Sequence, residues 1–436
     1  MNNALRTIYF TLLFSLALPL SSVAQEQEKI SIVDDEECGC ELVFIDGIQT
    51  IERDGLFGFK LEDGTVIVEP VYRHVGQFKG GFCIVYNDKM RCGIINRAGR
   101  EVVASEYDEM TLPSEGMIRV RKGDLWGYFD TTGKQIIDFQ YRAASDFCEG
   151  LAVVNSDIDS TEVLYGFINK ENEFVIPARF QYAMTFSEGF AVVKSYDRFG
   201  MIDRKGKEVI PCKYMALSSM MDGRCFAFDA ESELAAMFDK KAKRLTDFKY
   251  NEIQYYSEGL YVVRAGNQIT FLDQKGHEQF GMYEEVSGFF DGYSMVKRDG
   301  KFGIINRKGK TILPIEYDNS GWRAMEYIFS ENLAMVEKNG HYGFVNKRGE
   351  VVIPLIYESA QHCTEGLIPV QKDGMWGFID KEGNTVCPFL FTAASYFTWG
   401  RAEVVFNNVT YKINPQGQCV KNCKTYPDFI KFNFKK

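Results

Sequence analysis

The sequence has few of the residues on which catalytic and metal sites depend. It contains only four histidines, His74, His277, His341 and His362, with no two at metal-binding spacing, and it has no Cys-x-x-Cys motif. Zinc sites are usually built from such clusters, so no metal or other cofactor is predicted. The Gly-x-Ser-x-Gly elbow of many serine hydrolases is also missing. We therefore predict no catalytic residues and no enzymatic activity.

Long hydrophobic runs are scarce as well. The run near the start, Ile8 to Leu20, is about 13 residues, whereas a membrane-spanning helix needs about 20. It follows Arg6 and precedes Ser22-Val23-Ala24, which is the order of a secretory signal peptide with predicted cleavage after Ala24. No Cys follows this run until Cys38, so the attachment cysteine of a bacterial lipoprotein is missing from its usual place. The expected mature protein is secreted or periplasmic.

Strong charge of one sign is lacking too. The 60 acidic and 50 basic residues give a formal charge of −10, and the two signs are interspersed rather than gathered in blocks. Such a surface has no basic footprint for nucleic acid and is disfavoured at anionic membranes. Hydrophobic residues make up 45% of the chain and aromatic residues 14%, which is enough for a folded core.

The 11 cysteines do not form a regular disulfide framework, because their number is odd and their spacing irregular. Cys38, Cys40, Cys419 and Cys423 stand at the two ends, where one or two disulfides are predicted. The other seven mostly replace apolar residues, and we predict that they are buried free thiols: Cys83, Cys92, Cys148, Cys212, Cys225, Cys363 and Cys387.

The most informative feature is a pattern that returns eleven times at intervals of 33 to 40 residues. A small residue lies in an apolar strand, Asp or Asn follows three residues later, and Gly comes three after that, as in Gly377, Asp380 and Gly383. A fixed period of this size indicates stacked copies of one supersecondary unit. Ala242 replaces the turn Gly in one copy, and because Ala tolerates the left-handed conformation poorly, we expect that copy to be distorted.

Each copy predicts three strands. In the clearest one, Leu367 to Lys372 is strand-like, Asp373-Gly374 supplies the two positive φ angles of a type I′ hairpin, and Trp376 to Ile379 forms the second strand. The Asx-x-x-Gly element closes a second turn, and a third strand ends at an aromatic residue that we predict to lie in the core between units. Acid-Gly pairs such as Glu365-Gly366 lead into the next copy, and we interpret them as solvated loops.

The predicted fold class is all-β, a tandem array of about eleven three-stranded antiparallel meanders of about 34 residues in an open superhelix or solenoid. Two β-propellers are the alternative, although propeller blades typically have four strands over about 40 to 45 residues. The predicted boundaries are a signal peptide at 1–24, an N-terminal segment at 25–40, the array at 41–420 and a C-terminal tail or cap at 421–436.

These linked features resemble the WG-repeat (KWG) family of bacterial proteins over nearly all of 41–420. The resemblance rests on the Trp-Gly-[Tyr/Phe]-[Phe/Ile]-Asp strand, the Gly-Lys turn and the Ile-Pro…Tyr-[Asp/Glu] segment. Trp itself occurs in two copies, Trp126 and Trp376, and aromatic residues replace it in most others. The resemblance implies a β-rich repeat with binding or scaffolding functions and no catalytic residues.

Candidate binding residues are those that the repeat does not explain. Trp322 and Trp399 lie outside the aromatic-Gly register, and exposed aromatic residues there could stack on sugars or anchor a protein. Two insertions, at 155–164 and 319–327, are further candidates, because insertions in repeat proteins map to loops that often bind partners. The first insertion contributes three acidic candidates: Asp157, Asp159 and Glu162. Calcium is not predicted at the Asx row, because each unit supplies one oxygen ligand rather than a cluster.

Three functions stay open from the sequence. The first is an exported scaffold that presents a long β-surface to a protein partner. The second is a module that binds carbohydrate or cell-envelope polysaccharide through Trp322 and Trp399, and the third is an enzyme of unknown class. Neither a nucleic acid nor a membrane span of the mature chain is expected.

Overall fold

A computed structural model describes residues 30–35, 40–45, 47–155, 163–318, 328–421 and 423–425. Within these ranges the chain consists of antiparallel strands and turns, and its one helix is the short 3₁₀ helix Cys423–Thr425. None of the described helical structure is long and apolar enough to cross a membrane. The chain divides into two compact units, Met1–Arg244 and Leu245–Lys436.

The described residues of the first unit form six sheets, in each of which the strands are hydrogen-bonded in chain order. Sheet 1 consists of β1 (Ile30–Asp35), β2 (Cys40–Ile45), β3 (Ile48–Arg53), β4 (Leu56–Leu61) and β5 (Val66–Tyr72). Sheet 2 consists of β6 (His74–Val75), β7 (Phe82–Tyr86), β8 (Cys92–Asn96) and β9 (Glu101–Tyr107), and sheet 3 of β10 (Glu109–Met110), β11 (Met117–Lys122), β12 (Leu125–Asp130) and β13 (Gln135–Tyr141). Sheet 4 consists of β14 (Ala152–Asn155), β15 (Tyr165–Ile168) and β16 (Phe174–Phe180), sheet 5 of β17 (Tyr182–Ala183), β18 (Phe190–Ser195), β19 (Arg198–Asp203) and β20 (Glu208–Tyr214), and sheet 6 of β21 (Ala216–Leu217), β22 (Arg224–Phe228) and β23 (Ala235–Asp239).

Residues 245–318, 328–421 and 423–425 of the second unit form five sheets with the same chain-order pairing. Sheet 7 consists of β24 (Glu252–Ser257), β25 (Leu260–Ala265), β26 (Gln268–Leu272) and β27 (Glu278–Tyr283), and sheet 8 of β28 (Glu285–Val286), β29 (Tyr293–Arg298), β30 (Lys301–Asn306) and β31 (Thr311–Tyr317). Sheet 9 consists of β32 (Leu333–Lys338), β33 (His341–Asn346) and β34 (Val351–Tyr357), sheet 10 of β35 (Ser359–Ala360), β36 (Leu367–Lys372), β37 (Met375–Asp380) and β38 (Thr385–Phe391), and sheet 11 of β39 (Ala393–Ala394), β40 (Ala402–Phe406), β41 (Val409–Ile413) and β42 (Cys419–Lys421).

The repeating unit is the antiparallel meander that the sequence predicts. In sheet 10, Lys372 pairs with Met375 across the Asp373-Gly374 hairpin, whose φ angles of 52° and 77° are those of a type I′ turn. Most sheets also contain a further strand, usually of two residues, that pairs with the outer edge of the first long strand. Two residues are too few to show a hydrophobic period, so the sequence did not predict this strand.

The small residue of the repeat is needed where the third strand crosses the second. A Cβ atom on Gly166 would lie 2.6 Å from the carbonyl oxygen of Ile176 and 2.6 Å from the amide nitrogen of Ala178, both on the third strand. The third strand carries bulges at this crossing, since Tyr165 pairs with Phe180 and Phe167 pairs with Ile176. The bulged strand therefore lies on the backbone of the glycine, where a side chain would not fit.

The core lies between consecutive sheets of each unit. Tyr141, which ends the third strand of sheet 3, is 6% exposed and packs in one cluster with Phe147 and Ile168 of the next repeat. Tyr317, in the same position of sheet 8, packs with Ile328 and Val336 of the next repeat. The predicted placement of this aromatic residue in the core between units is confirmed.

The first and last sheets carry polar residues where inner sheets carry apolar ones. In sheet 10 the cross-strand pair Pro369 and Phe378 is buried, but its equivalent in sheet 11 is Glu403 and Lys412, which form an ion pair at 3.7 Å. On the opposite face, the pair equivalent to Ile368 and Ile379 becomes Gln49 and Lys60 in sheet 1. Polar outer faces are typical of the capping units of repeat arrays.

The copy around Ala242 is distorted, as the sequence predicts. Ala242 has a φ of 59°, and sheet 6 has no third long strand among the described residues. Beyond the turn, the chain forms a single bridge between Phe238 and Arg244 in place of that strand. The boundary between the two units falls directly after Arg244, so the weakest copy of the repeat coincides with the division of the chain.

Candidate functional site

Most of the described sheets have two ends with different turn chemistry. At the hairpin end lies the tight turn between the first and second long strands, such as Asp373-Gly374 in sheet 10. At the Asx end lie the Asx turn Asp380 to Gly383 and the acid-Gly turn Glu365-Gly366, because Leu367 pairs with Asp380. Polar side chains that form no hydrogen bond or ion pair within these turns are available to bind a partner.

At the Asx end, the Asx side chain is used to build its own turn. In sheet 5, Asp203 Oδ1 accepts hydrogen bonds from the backbone N–H groups of Lys205 at 2.9 Å and Lys207 at 3.0 Å. The same pair of bonds recurs at Asn96, Asp130, Asp239, Asp273, Asn306, Asn346, Asp380 and Asn414. Among the described residues, no group of three or more His, Cys, Asp or Glu is placed to hold a metal ion.

The acid-Gly turns are not the solvated loops that the sequence suggested. Glu188 of sheet 5 reaches the next repeat, where its carboxylate accepts hydrogen bonds from the N–H groups of Asp222 at 2.5 Å and Gly223 at 2.8 Å. The same contact joins Glu115 to Gly150, Glu149 to Gly189, Glu258 to Gly292, Glu331 to Gly366 and Glu365 to Gly400. The solvated-loop interpretation was wrong, because these carboxylates connect consecutive sheets.

A basic residue just after the Asx position often completes this connection. Lys240 pairs with Glu188 at 3.1 Å, and Lys381 pairs with Glu331. Burial alone would raise the pKa of Glu331, but the Lys381 ammonium group and the Gly366 N–H hold it below its ordinary value. The lysine directly after the Asx residue and the glutamate of the acid-Gly turn therefore have a structural function in these sheets: they connect one sheet to the next.

The nine cysteines whose side chains the structure describes add no reactive site. Cys419 and Cys423 form a disulfide at the end of sheet 11, in line with the predicted terminal disulfides. The seven cysteines within the repeats are free and buried or half-buried. Burial raises the pKa of Cys83, Cys363 and Cys387 to about 12, so these thiols stay protonated and unreactive at neutral pH.

Most of the predicted binding residues lie outside the described residues: Trp322, Asp157, Asp159 and Glu162. Their attachment points are nevertheless defined. The first insertion joins β14 to β15 at the hairpin end of sheet 4, where Asn155 pairs with Tyr165. The second follows Tyr317, which pairs with Phe302 at the hairpin end of sheet 8. Both insertions thus start from the same kind of sheet end, each in its own unit.

Trp399 lies at the opposite kind of end. Trp399-Gly400 of sheet 11 occupies the place that Glu365-Gly366 occupies in sheet 10, with a φ of 51° at Trp399 and 63% of its surface exposed. Gly400 still donates its N–H to Glu365 at 2.8 Å. As sheet 11 is the last sheet described, Trp399 stands where the row of carboxylates ends. Tyr396, 47% exposed, lies three residues earlier.

Sequence reasoning missed Tyr196, the most exposed of the large hydrophobic side chains described. It lies at the hairpin end of sheet 5, is 95% exposed and has a φ of 49°. Positive φ is unfavourable for a bulky side chain, and most other hairpins place Gly, Asn or Asp at such positions, with Met90 and Glu233 as exceptions. Aligning the hairpins of the eleven copies would have revealed Tyr196-Asp197 in the place of Asp-Gly.

The tip that carries Tyr196 is held firmly. The Asp197 N–H donates to Gln181 Oε1 at 2.9 Å, and the Asp197 carboxylate pairs with Lys194 at 2.8 Å. Lys194 lies 5.8 Å from the centre of the Phe199 ring, which contacts Tyr182 edge to face at 6.0 Å. Tyr182 is itself 44% exposed. The hairpin end of sheet 5 therefore presents two exposed tyrosines on an ordered support.

The fold and its turns define a class: a tandem array of small antiparallel β-sheets whose repeated polar residues join one sheet to the next. A family model described as the WG containing repeat matches nine segments: residues 57–89, 93–126, 126–157, 165–197, 199–221, 237–268, 302–341, 342–376 and 376–409. The chain belongs to this family. The resemblance identified from the sequence is confirmed.

Solved structures with partial likeness are β-rich but distant. A structure described as the eukaryotic initiation factor is 9% identical, covers 71% of this chain and 95% of its own, and has a TM-score of 0.38. BamB from Moraxella catarrhalis is 11% identical, covers 74% of this chain and 98% of its own, and has a TM-score of 0.30. Among the curated proteins, nothing matches this chain.

Proposed function

We propose that this WG-repeat protein is an exported, non-catalytic scaffold that binds another protein through the hairpin end of sheet 5. The observation that carries the proposal is Tyr196, whose side chain is 95% exposed at a hairpin tip. Its φ of 49° is unfavourable for a tyrosine. Unfavourable backbone conformations that persist in a folded protein cluster at binding sites. Tyrosine is also enriched among the residues that dominate the energy of protein interfaces.

The rest of the repeat supports this choice by elimination. The Asx residues close their own turns, the turn carboxylates bind the next sheet, and the third-strand aromatic residues are buried. Tyr196 and Tyr182 contribute exposed aromatic surface that these contacts do not use. Export is proposed from the signal-peptide pattern that ends at Ala24.

Site-specific photo-cross-linking tests the proposal. The photoreactive residue p-benzoylphenylalanine replaces Tyr196 in the full-length chain, and in a matched control it replaces Met90, which is 52% exposed on the hairpin end of sheet 2 with a φ of 57°. We expect a discrete protein adduct from position 196 in the cell envelope and none from position 90. Equal labelling at both positions, or no protein adduct at 196, would refute the proposed site.

A second candidate function is binding of envelope polysaccharide through Trp399. It is favoured by the 63% exposure of Trp399 and by Tyr396 close by in the sequence. Retention of the chain on its own envelope polysaccharide, compared with a variant in which Trp322 and Trp399 are both replaced by Ser, tests it. If the unmodified chain is not retained, this candidate is excluded.

A further inference from the structure

The Asx ends of sheets 5 and 6 carry four lysines that the inter-sheet contacts do not use. Lys205 and Lys207 follow Asp203 in sheet 5, and Lys241 and Lys243 follow Asp239 in sheet 6. All four side chains are exposed, and in the described part of the chain none has a carboxylate within 4.0 Å. We call these four residues the lysine rows.

The backbone under the lysine rows is fixed. Asp239 Oδ1 accepts hydrogen bonds from the N–H groups of Lys241 and Lys243, each at 2.9 Å, as Asp203 Oδ1 does in sheet 5. Consecutive packed sheets lie roughly 10 Å apart, so the two rows are about one sheet spacing from each other. The rows therefore place four ammonium groups on two rigid turns of the same unit.

In two other Asx turns acids balance the cations, whereas Lys308 and Lys310 of sheet 8 are exposed beside the neutral Asn306. In sheet 4, Lys170 is followed by Glu171 and Glu173, and in sheet 9, Lys347 pairs with Asp291 while Arg348 pairs with Glu350. Around the lysine rows, the carboxylates are the turn residues Asp203 and Asp239, the exposed Glu208 and Asp222, and Glu188, which Lys240 engages. Arg204, Lys240 and Arg244 add three cations to the four lysines. The local charge is positive although the whole chain has a formal charge of −10. Screening confines charge effects to about 8 Å at physiological salt, so the local sign governs a bound group.

We propose that the lysine rows bind an acidic polypeptide segment. This inference rests on the proposed scaffold function, because it assigns the chemistry of part of the partner. Lysine acts as a point charge and lacks the planar fork with which arginine reads a carboxylate or phosphate in two contacts. The rows therefore recognise charge density rather than a fixed shape, which suits a flexible run of Asp and Glu.

The rows do not fit a nucleic acid or a glycan as well. Single-stranded nucleic acids are bound by aromatic platforms that alternate with basic groups, and the two turns carry no aromatic residue between Asp203 and Lys207 or between Asp239 and Lys243. Sugars likewise use aromatic faces for stacking. An acidic polypeptide needs only the ammonium groups that are present.

The test is binding of a fluorescent oligo-glutamate peptide to the full chain, followed by anisotropy at increasing salt. One variant combines Lys205→Glu with Lys241→Glu. Its matched control combines Lys89→Glu with Lys122→Glu, exposed lysines at the hairpin ends of the consecutive sheets 2 and 3, which change the net charge equally. We expect about tenfold weaker binding for the first variant, less than about twofold for the control, and weakening by salt throughout.

Several outcomes would overturn the inference. One is an equal loss of oligo-glutamate affinity in the variant and the control, and another is the absence of oligo-glutamate binding at low salt. A third is a sulfated glycan that binds more tightly than oligo-glutamate and loses more affinity when the lysine rows are changed. A second variant, Lys205→Gln with Lys241→Gln, repeats the measurement should the charge reversals disturb folding. The cross-linking experiment at position 196 tests the proposed scaffold function independently of oligo-glutamate binding. An adduct there without oligo-glutamate binding would remove this inference alone, whereas the reverse result would remove the proposed partner site.

Discussion

The two ends of each sheet differ in how many of their side chains make contacts that the fold requires. At the Asx end, one carboxylate closes the turn and another, such as Glu188, crosses to the next sheet. At the hairpin end, an acidic residue that follows the third strand of one sheet usually caps the tight turn of the next sheet, as when Asp108, directly after β9 of sheet 2, accepts the Gly123 N–H of sheet 3 at 2.7 Å. Contacts between consecutive sheets therefore occur at both ends, but at the hairpin end the carboxylate binds a backbone N–H group of the tight turn, so the side chains of the turn are less constrained.

This difference explains where the chain varies. The hairpins range from Asp373-Gly374 to Tyr196-Asp197 and Asn407-Asn408, and both insertions start from hairpin ends. At the Asx end, variation is confined to positions that point away from the inter-sheet contacts, such as those of the lysine rows. A repeat protein can thus gain a binding residue at the hairpin end without disturbing the packing of its sheets.

The largest expected effect comes from the glycine of the second strand, where the bulged third strand lies directly on its backbone. Gly166→Ala places a Cβ 2.6 Å from backbone atoms of the third strand, so the strand has to shift. We expect a loss of about 3 kcal/mol in the free energy of unfolding, measured in urea. In the control Gly76→Ala, the new Cβ lies 3.4 Å from the Ile84 carbonyl oxygen and should cost less than about 1 kcal/mol. Equal losses would show that the crossing does not require glycine.

Removal of an inter-sheet carboxylate comes next in size. Glu188→Ala leaves the N–H groups of Asp222 and Gly223 without their acceptor and Lys240 without its partner. We expect a loss of about 1–2 kcal/mol by urea unfolding. Glu231→Ala, an exposed carboxylate at the hairpin end of sheet 6, should change stability by less than about 0.5 kcal/mol. If the two variants lose equally, the carboxylate row does not join the sheets.

Much of the fold was predictable from the sequence because its determinants are local. The type I′ hairpins, the Asx turns and the distorted copy at Ala242 each follow from residues within a few positions of one another. The role of Glu188 was not predicted, because its hydrogen-bond partner Gly223 lies 35 residues away and an isolated Glu-Gly pair looks like any loop. The period of the repeat held that information, since the partner is the equivalent turn of the next copy.

The candidate site was less predictable than the fold. Trp399 was treated as an off-register residue, yet the structure places it in the register of the acid-Gly turn at the last sheet. Tyr196 was overlooked because tyrosine is common in strands, and only its position in a left-handed turn makes it unusual. Trp322, Asp157, Asp159 and Glu162 stay predictions.

A smaller effect of the opposite sign is expected at the Tyr196 hairpin. Tyr196→Asn puts a residue that tolerates positive φ at the tip, so we expect the free energy of unfolding to rise by about 1 kcal/mol. Tyr396→Asn is the control, because Tyr396 is 47% exposed and does not have a positive φ. A gain in the control, or no gain at position 196, would show that the hairpin is not strained by its tyrosine.

The smallest expected effect is a pH dependence at the hairpin end. The backbone N–H of Gly123, together with Arg91, lowers the pKa of Asp108 below its ordinary value of 3.8. Because the folded-state pKa is the lower one, the stabilisation is complete above pH 3.8 and is lost as the pH falls through the folded value. The stability difference between the unmodified chain and Asp108→Asn should therefore shrink on acidification through 3.8. Asp124→Asn removes an equal charge at an exposed position one residue beyond Gly123, so its urea unfolding across the same range measures the contribution of net charge alone. Convergence of both variants would mean that general charge repulsion, rather than the turn hydrogen bond, sets the acid sensitivity of this end.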